Sequence, residues 1–237
     1  MSSKNAENKF TSDIDIVYNK EEQVRRIVHL PTEGNEGIIV HTDTIEKSTH
    51  TYQDRFIRYL YEDKKRAIEL CGALSEIDYP QDTKAERYDL EKSLFKRFND
   101  LAIVINDKQL YVIEATSTIS SNFPLRILLY VADILSSWFI ENKQLYQSKL
   151  IKIPEIKCYV LYSGKAPLKE TELKLSNSFK TNDGSNDSFD LEITVLIIDI
   201  NLSSGSTILQ RSESLRGYAY LIDYIKRGIG RRIVFAQ

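Results

Sequence analysis

The sequence predicts an α/β fold, a mixed central sheet with helices packed on it. Three observations predict it. Two short apolar runs flank a polar turn in NDLAIVINDKQLYVIEATST, residues 99–118. One long helical pattern, LRILLYVADILSSWFIEN, follows Pro124. Two later apolar runs, IKCYVLYSG and LEITVLIIDI, are then followed by another helical pattern. Strand-length runs alternating with helices give sheets covered by helices.

The totals set the frame. The chain has 237 residues, 42% of them hydrophobic and 28% charged. That composition predicts a globular body of one sizeable domain. No apolar run reaches the roughly 18 residues of a membrane span. The opening MSSKNAENKF lacks the apolar core of a signal peptide, so a cytoplasmic location is expected. Net charge is −2, so attraction to nucleic acid has to come from a local basic patch.

The two cysteines, Cys71 and Cys158, are too far apart for a zinc motif and read as buried reduced thiols. The three histidines, His29, His41 and His50, all fall in the first fifty residues. The rest of the chain therefore has no base for a Ser-His-Asp triad and no histidine metal ligand.

Residues 1–50 read as an appendage, partly disordered, with one strand in GIIVHTD. Residues 51–237 read as the main domain. TYQDRFIRYLYEDKKRAIELCGAL has helical apolar spacing with a break near Glu62-Asp63, and Thr51 or Asp54 is placed to cap its start. Residues 79–82 make a loop, and RYDLEKSLF reads as a first strand. The next two strands lie near 100–105 and 110–117. Pro124 suits the first turn of the long helix, with Asn122 or Phe123 at the cap, and the pattern runs to about Asn142. IKCYVLYSG reads as a buried strand ending at Gly164. Residues 169–188 are polar, and TNDGSND is an exposed loop. LEITVLIIDI is nearly continuous in apolar residues and is expected to be covered on both faces. LRGYAYLIDYIKRG is a helix that Gly228 terminates.

Two acids stand at the outer ends of the hairpin, Asp100 and Glu114. Side chains alternate across a strand, so Leu110, Val112, Glu114 and Thr116 share one face, as do Asp100, Ala102 and Val104. A three-residue turn, 106–108, pairs Ile105 with Gln109 and brings Asp100 directly opposite Glu114, about 4.5–5.5 Å apart at Cβ. A two-residue turn puts the acids on opposite faces. Facing carboxylates repel unless a cation, a proton or water intervenes, and a hard divalent cation answers that repulsion. The plain alternative is that both acids are strand-end residues facing water.

An acid opening one strand, followed by E-x-(K or Q) on the next, resembles the PD-(D/E)XK nuclease core. TYQDRFIRYLY, KRFNDLAIVI, YVIEATSTISSNFPLRILLYVADI, YVLYSGK and LEITVLIIDIN are similar to the Rpn family, the recombination-promoting, transposase-like nucleases of that superfamily. The likeness runs from about Thr51 to about Ile229. Its most specific part is E-x-x-S-T followed by N-x-P-L-R-x-L-x-Y, residues 114–130.

The resemblance implies a DNA endonuclease using Mg²⁺, with Mn²⁺ as a substitute, and a core of helix, three strands, helix and strand. It implies Asp100 and Glu114 as metal ligands together with the backbone carbonyl of Ala115. Thr116 stands where the family usually has Gln and the superfamily Lys, a shorter group that reaches only near neighbours. Arg126 and Tyr130 lie four apart on the long helix and share a face. Arg126 suits a phosphate, and Tyr130 suits a site acid or the DNA backbone. Otherwise they belong to the polar stripe of an amphipathic helix that Asp133 and Ser137 continue.

Glu91 is a supplementary acid or a solvent-facing one. Lys64-Lys65-Arg66 and the cluster Lys226-Arg227 with Arg231-Arg232 read as solvated faces rather than phosphate tracks. Ser117, Ser120 and Ser121 lack a glycine-flanked elbow and read as turn and cap residues. The alternative function is a weakened or inactive nuclease fold that binds DNA or protein, which Thr116 favours.

Overall fold

The computed structural model describes residues 25–28, 38–41, 56–80, 82–88, 101–139, 143–180 and 188–226, the first two segments by backbone alone. The chain divides into two compact units, Met1–Ser48 and Thr49–Gln237. In the first, strands β1 (Arg25–Val28) and β2 (Ile38–His41) pair antiparallel. β2 lies in the GIIVHTD run, and β1 carries no sequence signal that announced it.

In the second unit, residues 56–60 are helical, and a turn at 61–63 breaks the pattern where the sequence places a break. Helix α1 (Lys64–Ser75) then starts from Asp63, whose carboxylate accepts the Arg66 N–H at 3.0 Å. That bond satisfies one of the donors a helix start leaves open. The caps proposed at Thr51 and Asp54 lie outside the described residues.

Strands β3 (Ala85–Tyr88), β4 (Leu101–Ile105) and β5 (Gln109–Thr116) follow. Helix α2 (Phe123–Phe139) crosses over to β6 (Glu155–Tyr162). Then come β7 (Glu172–Lys174), β8 (Thr194–Asp199), the short α3 (Ile208–Arg211) and α4 (Glu213–Lys226). The six strands form one mixed sheet in the order β3-β4-β5-β6-β8-β7. The pairs β3/β4, β4/β5 and β7/β8 are antiparallel, and β5/β6 and β6/β8 are parallel.

Helices cover both faces. Ala102, Val104, Leu110, Val112, Val160 and Ile197 pack with Phe123, Ile127, Val131 and Ile134 of α2. On the opposite face Tyr111 and Tyr159 stack at 6.2 Å. Both reach α1: Ser75 Oγ is 2.7 Å from the Tyr111 hydroxyl, and the Tyr159 hydroxyl donates to Leu74 O. α4 joins that layer, with Ser214 N donating to Glu69 Oε1 at 3.1 Å. Both cysteines are free and buried. No helix among the described residues is long and apolar enough to cross a membrane.

Several expectations need correction. The first strand is Ala85–Tyr88, so only Arg87 and Tyr88 of RYDLEKSLF belong to it, and residues 89–100 lie outside the described residues. β8 is covered on one face only: Val195 and Ile197 are buried while Leu196 is 40% exposed. The polar stretch 169–188 contains the edge strand β7 and a 3₁₀ turn, Leu175–Ser178. Lys64 and Lys65 are exposed on α1, as a solvated helix face should be.

Candidate functional site

The register of β4 on β5 positions the site. Ile105 stands opposite Gln109, and the ladder runs on to Leu101 opposite Ile113. The turn therefore has three residues. Lys108 N–H donates to Ile105 O at 2.9 Å, and Asn106 and Asp107 take left-handed φ values of 52° and 55°. Asn and Asp tolerate that region better than other side-chain-bearing residues. Asn106 is fixed further, because its Oδ1 accepts the Lys84 N–H and its own N–H donates to Lys84 O, both at 2.9 Å. The contacts of Leu110 and Val112 with α2 put the alternate positions of β5, Glu114 and Thr116 included, on the α2 side. Asp100 lies outside the described residues.

Glu114 is buried, its side chain 5% exposed. Arg126, in the first turn of α2, brings Nη2 to 2.7 Å from Glu114 Oε2. Its Nε and Nη2 also lie 3.4 and 3.3 Å from the Tyr130 hydroxyl. Its guanidinium sits over the Phe123 ring at 4.8 Å. The sequence brings Arg126 and Tyr130 onto one face by their spacing of four, and the structure adds Glu114 to them. Phe123 is the contributor that sequence reading took only as a possible cap. Its spacing of three from Arg126 was the available signal.

Two members of the polar stripe on this helix are buried. Tyr130 and Asp133 are each only 6% exposed, while Leu125 and Leu129 on the outside are 44% and 38% exposed. Part of the polar stripe faces inward, toward the end of the sheet.

Thr116 is engaged locally. Its hydroxyl donates to Thr118 O at 2.8 Å and accepts the Thr118 N–H at 3.1 Å. Its carbonyl accepts the Ser163 N–H at 2.8 Å, tying the end of β5 to the end of β6. Ser120 acts as a turn residue, its Oγ accepting from Asn122 N at 3.3 Å and its carbonyl from Phe123 N at 3.1 Å. Glu91 and the Arg227, Arg231 and Arg232 positions lie outside the described residues.

A hard divalent cation needs several oxygen donors. The Glu114 carboxylate and the neighbouring Ala115 carbonyl are the implied donors that fall among the described residues. No group of three or more His, Cys, Asp or Glu gathers as a metal site among those residues. The chemistry at Glu114 nevertheless suits a cation: a buried carboxylate already holds a positive group at 2.7 Å. The third implied donor, Asp100, lies outside the described residues.

A cavity of about 310 Å³ lies elsewhere, on the α1 side, lined by Tyr61, Glu62, Lys64, Glu86, Arg87 and Ile103. Its charges serve each other: Arg87 donates to Arg58 O at 2.8 Å and stands 3.7 Å from Glu62. It presents no convergent donor set. Comparison of the chain with protein-family models, curated proteins and solved structures finds no match.

Proposed function

We propose that this chain is a Mg²⁺-dependent DNA endonuclease of the PD-(D/E)XK kind, resembling the Rpn nucleases. The observation that carries the reading is the register. The described ladder runs from Ile105 opposite Gln109 to Leu101 opposite Ile113, which is the register that the three-residue-turn reading of the two acids requires. The element order α1, β3, β4, β5, α2, β6 supports it, because helix, three strands, helix and strand is the core that the resemblance implies.

In this reading Asp100, Glu114 and the Ala115 carbonyl hold the metal. Held by those residues, Mg²⁺ or Mn²⁺ would supply a lowered pKa for the attacking water and shielding of the phosphodiester's charge. Glu114 supplies a buried anionic ligand. Arg126 meets a phosphate oxygen, and Tyr130 orients the guanidinium. Thr116 offers no long donor to the water, since its hydroxyl is engaged with Thr118. Cutting should therefore be slow.

Nicking of supercoiled plasmid tests this. Wild type should nick slowly with Mg²⁺ or Mn²⁺ and not with chelator, and Asp100→Ala and Glu114→Gln should not nick at all. Equal nicking by wild type and Glu114→Gln sinks the proposal.

A second reading has its own support. The Arg126–Glu114 pair neutralises the acid, and Thr116 lacks the superfamily's donor, as in a fold that binds nucleic acid without cutting it. Duplex binding without any nicking in Mn²⁺ favours that reading.

A further inference from the structure

The stretch between α2 and β6 forms a second surface, away from Glu114. It runs from the 3₁₀ turn Lys143–Tyr146 through irregular backbone to Pro154. Glu155, the first residue of β6, pairs with Gln109, whereas Glu114 pairs with Val160 further along the ladder. At about 3.3 Å per residue the stretch joins the sheet roughly 17 Å from Glu114. Four large apolar side chains stand out from it. Tyr146 is 91% exposed, Leu150 74%, Leu145 58% and Ile153 48%, and the first three are the most exposed large apolar side chains among the described residues. Lys149 and Lys152 are exposed between them. Residues 142–154 hold three lysines and no acid, in a chain whose net charge is −2. Exposed apolar groups gathered in a folded chain mark a contact surface.

The chemistry of the stretch selects among partners. A stable protein interface takes about 20–30 residues a side, far more than this stretch supplies. A nucleic acid would stack a base on Tyr146 and set phosphates on the lysines, but it leaves Leu145, Leu150 and Ile153 without a partner. An anionic lipid surface uses all six side chains. Aliphatic groups enter the acyl boundary, the tyrosine ring sits at headgroup level, and lysines reach anionic headgroups along their apolar stems. A bilayer also asks for no groove of matching shape.

We propose that residues 145–153 seat this protein reversibly on an anionic lipid bilayer, with Leu145, Tyr146, Leu150 and Ile153 in the interface and Lys149 and Lys152 on the headgroups. This contact lies in the plane of the interface and does not span the bilayer. It is independent of the nuclease reading of Glu114. The net charge of −2 gives the molecule no general attraction to anionic lipid, so the attraction is local and orients the protein.

The test is cosedimentation of the full chain with vesicles of phosphatidylcholine alone, or of phosphatidylcholine and phosphatidylserine in about a 7:3 ratio. Wild type should sediment with the mixed vesicles, and neutral lipid or roughly 0.5 M salt should release most of it. Lys149→Glu with Lys152→Glu should lower the affinity at least about tenfold, since each lysine near an anionic surface is worth about fivefold. Tyr146→Ser with Leu150→Ser should also release the protein, although both lysines remain. Tyr146→Trp should shift its emission to shorter wavelength when mixed vesicles are added, with wild type, whose one tryptophan is Trp138, as the background.

No sedimentation of wild type with the mixed vesicles overturns the proposal. So does unchanged binding by Tyr146→Ser with Leu150→Ser. Binding of single-stranded DNA or of an acidic polypeptide, lost in both double variants and without vesicle binding, gives the surface to that partner and overturns it too. Thermal melts of the variants should match wild type, because the changed side chains are exposed. If a double variant melts early, Tyr146→Trp decides, and an unshifted emission overturns the proposal.

Discussion

Ile105 stands opposite Gln109 across a three-residue turn, and that pairing decides which face of the sheet every residue of the hairpin serves. The side-chain period of a strand is two, so a slip of one residue reverses the faces of one strand against the other. Deleting Tyr111 from the middle of β5 should therefore reverse the faces of the residues on one side of the gap. Buried Leu110 and Val112 would no longer share a face, and the protein should fail to fold or aggregate. Expression with circular dichroism and size-exclusion chromatography checks this, and a soluble, fully folded deletion variant would contradict the register argument.

The turn itself gives a graded prediction. Asn106 and Asp107 both sit at positive φ, but only Asn106 bonds to Lys84 at both its side chain and its backbone. Asp107 adds an exposed contact to Lys84 at 3.2 Å, worth little. Asp107→Gly should be neutral or stabilising by up to about 1 kcal/mol, because relief of the left-handed backbone outweighs the added chain entropy. Asn106→Ala should cost about 1–2 kcal/mol, from lost bonding and greater strain. Urea denaturation midpoints order the two.

What the sequence made legible follows the same logic of period and partner. β4, β5 and α2 were readable because each repeats its apolar positions over several turns or pleats. β7 was not, because three residues show no period and the strand exists through its pairing with β8. β8 was misread as covered on both faces because Leu196 is apolar in sequence yet exposed, and hydrophobicity alone cannot report a missing neighbour. At the site, spacing grouped Arg126 with Tyr130, but spacing cannot say which stripe of a helix faces inward. The inward face is mostly apolar, Phe123, Ile127, Val131 and Ile134, but it also takes in Tyr130 and Asp133, while Leu125 and Leu129 face out. Places where local rules fail in this way are often functional.

The Arg126–Glu114 pair should show strong coupling. Arg126→Ala removes the cation from a buried carboxylate, and the half-exposure of the arginine moderates the cost to about 1–3 kcal/mol. Glu114→Gln combined with Arg126→Ala should cost less than the two single changes added together, since no uncompensated charge stays behind. A double-mutant cycle by chemical denaturation measures this. Additive effects would mean that the 2.7 Å contact contributes no stability.

Alkaline pH should weaken the fold in a defined window. Burial pushes the Cys158 thiol up from 9.0 to about 12. Burial, aided by the nearby Cys71, Cys158, Tyr79 and Glu155, likewise pushes the Tyr159 hydroxyl up from 10.0 to about 12. Both groups are neutral when protonated, and above pH 9 the unfolded chain releases these protons before the folded one does. Stability from keeping them protonated is therefore complete below about pH 9 and falls as pH rises towards 12, by at most about 1.4 kcal/mol per pH unit for each group. Cys158→Ala should make the early part of that decline shallower. Urea midpoints measured through this window test it, and an unchanged slope in the variant would rule Cys158 out as a contributor.

Gly164 links the stability of the sheet's end to the candidate site. A Cβ there would lie 2.2 Å from the Tyr162 hydroxyl and 2.3 Å from Ser117 O. The Tyr162 hydroxyl is itself held by Ala166 O at 2.7 Å, and Ser117 is backbone next to Thr116, so neither neighbour can yield cheaply. Gly164→Ala should cost about 1–3 kcal/mol by overpacking. It should also push residue 117 away from the end of β6 and strain the Ser163 N–H to Thr116 O bond, two residues beyond Glu114. On the proposed nuclease reading, Mn²⁺ binding should then weaken along with stability, whereas Gly205→Ala, at a positive-φ position open to solvent, should lower stability through backbone strain and leave Mn²⁺ affinity unchanged. Parallel denaturation and calorimetry on the two variants separate a local effect at the site from a general loss of stability. Equal metal affinities in both would show that the β5–β6 end does not position Glu114.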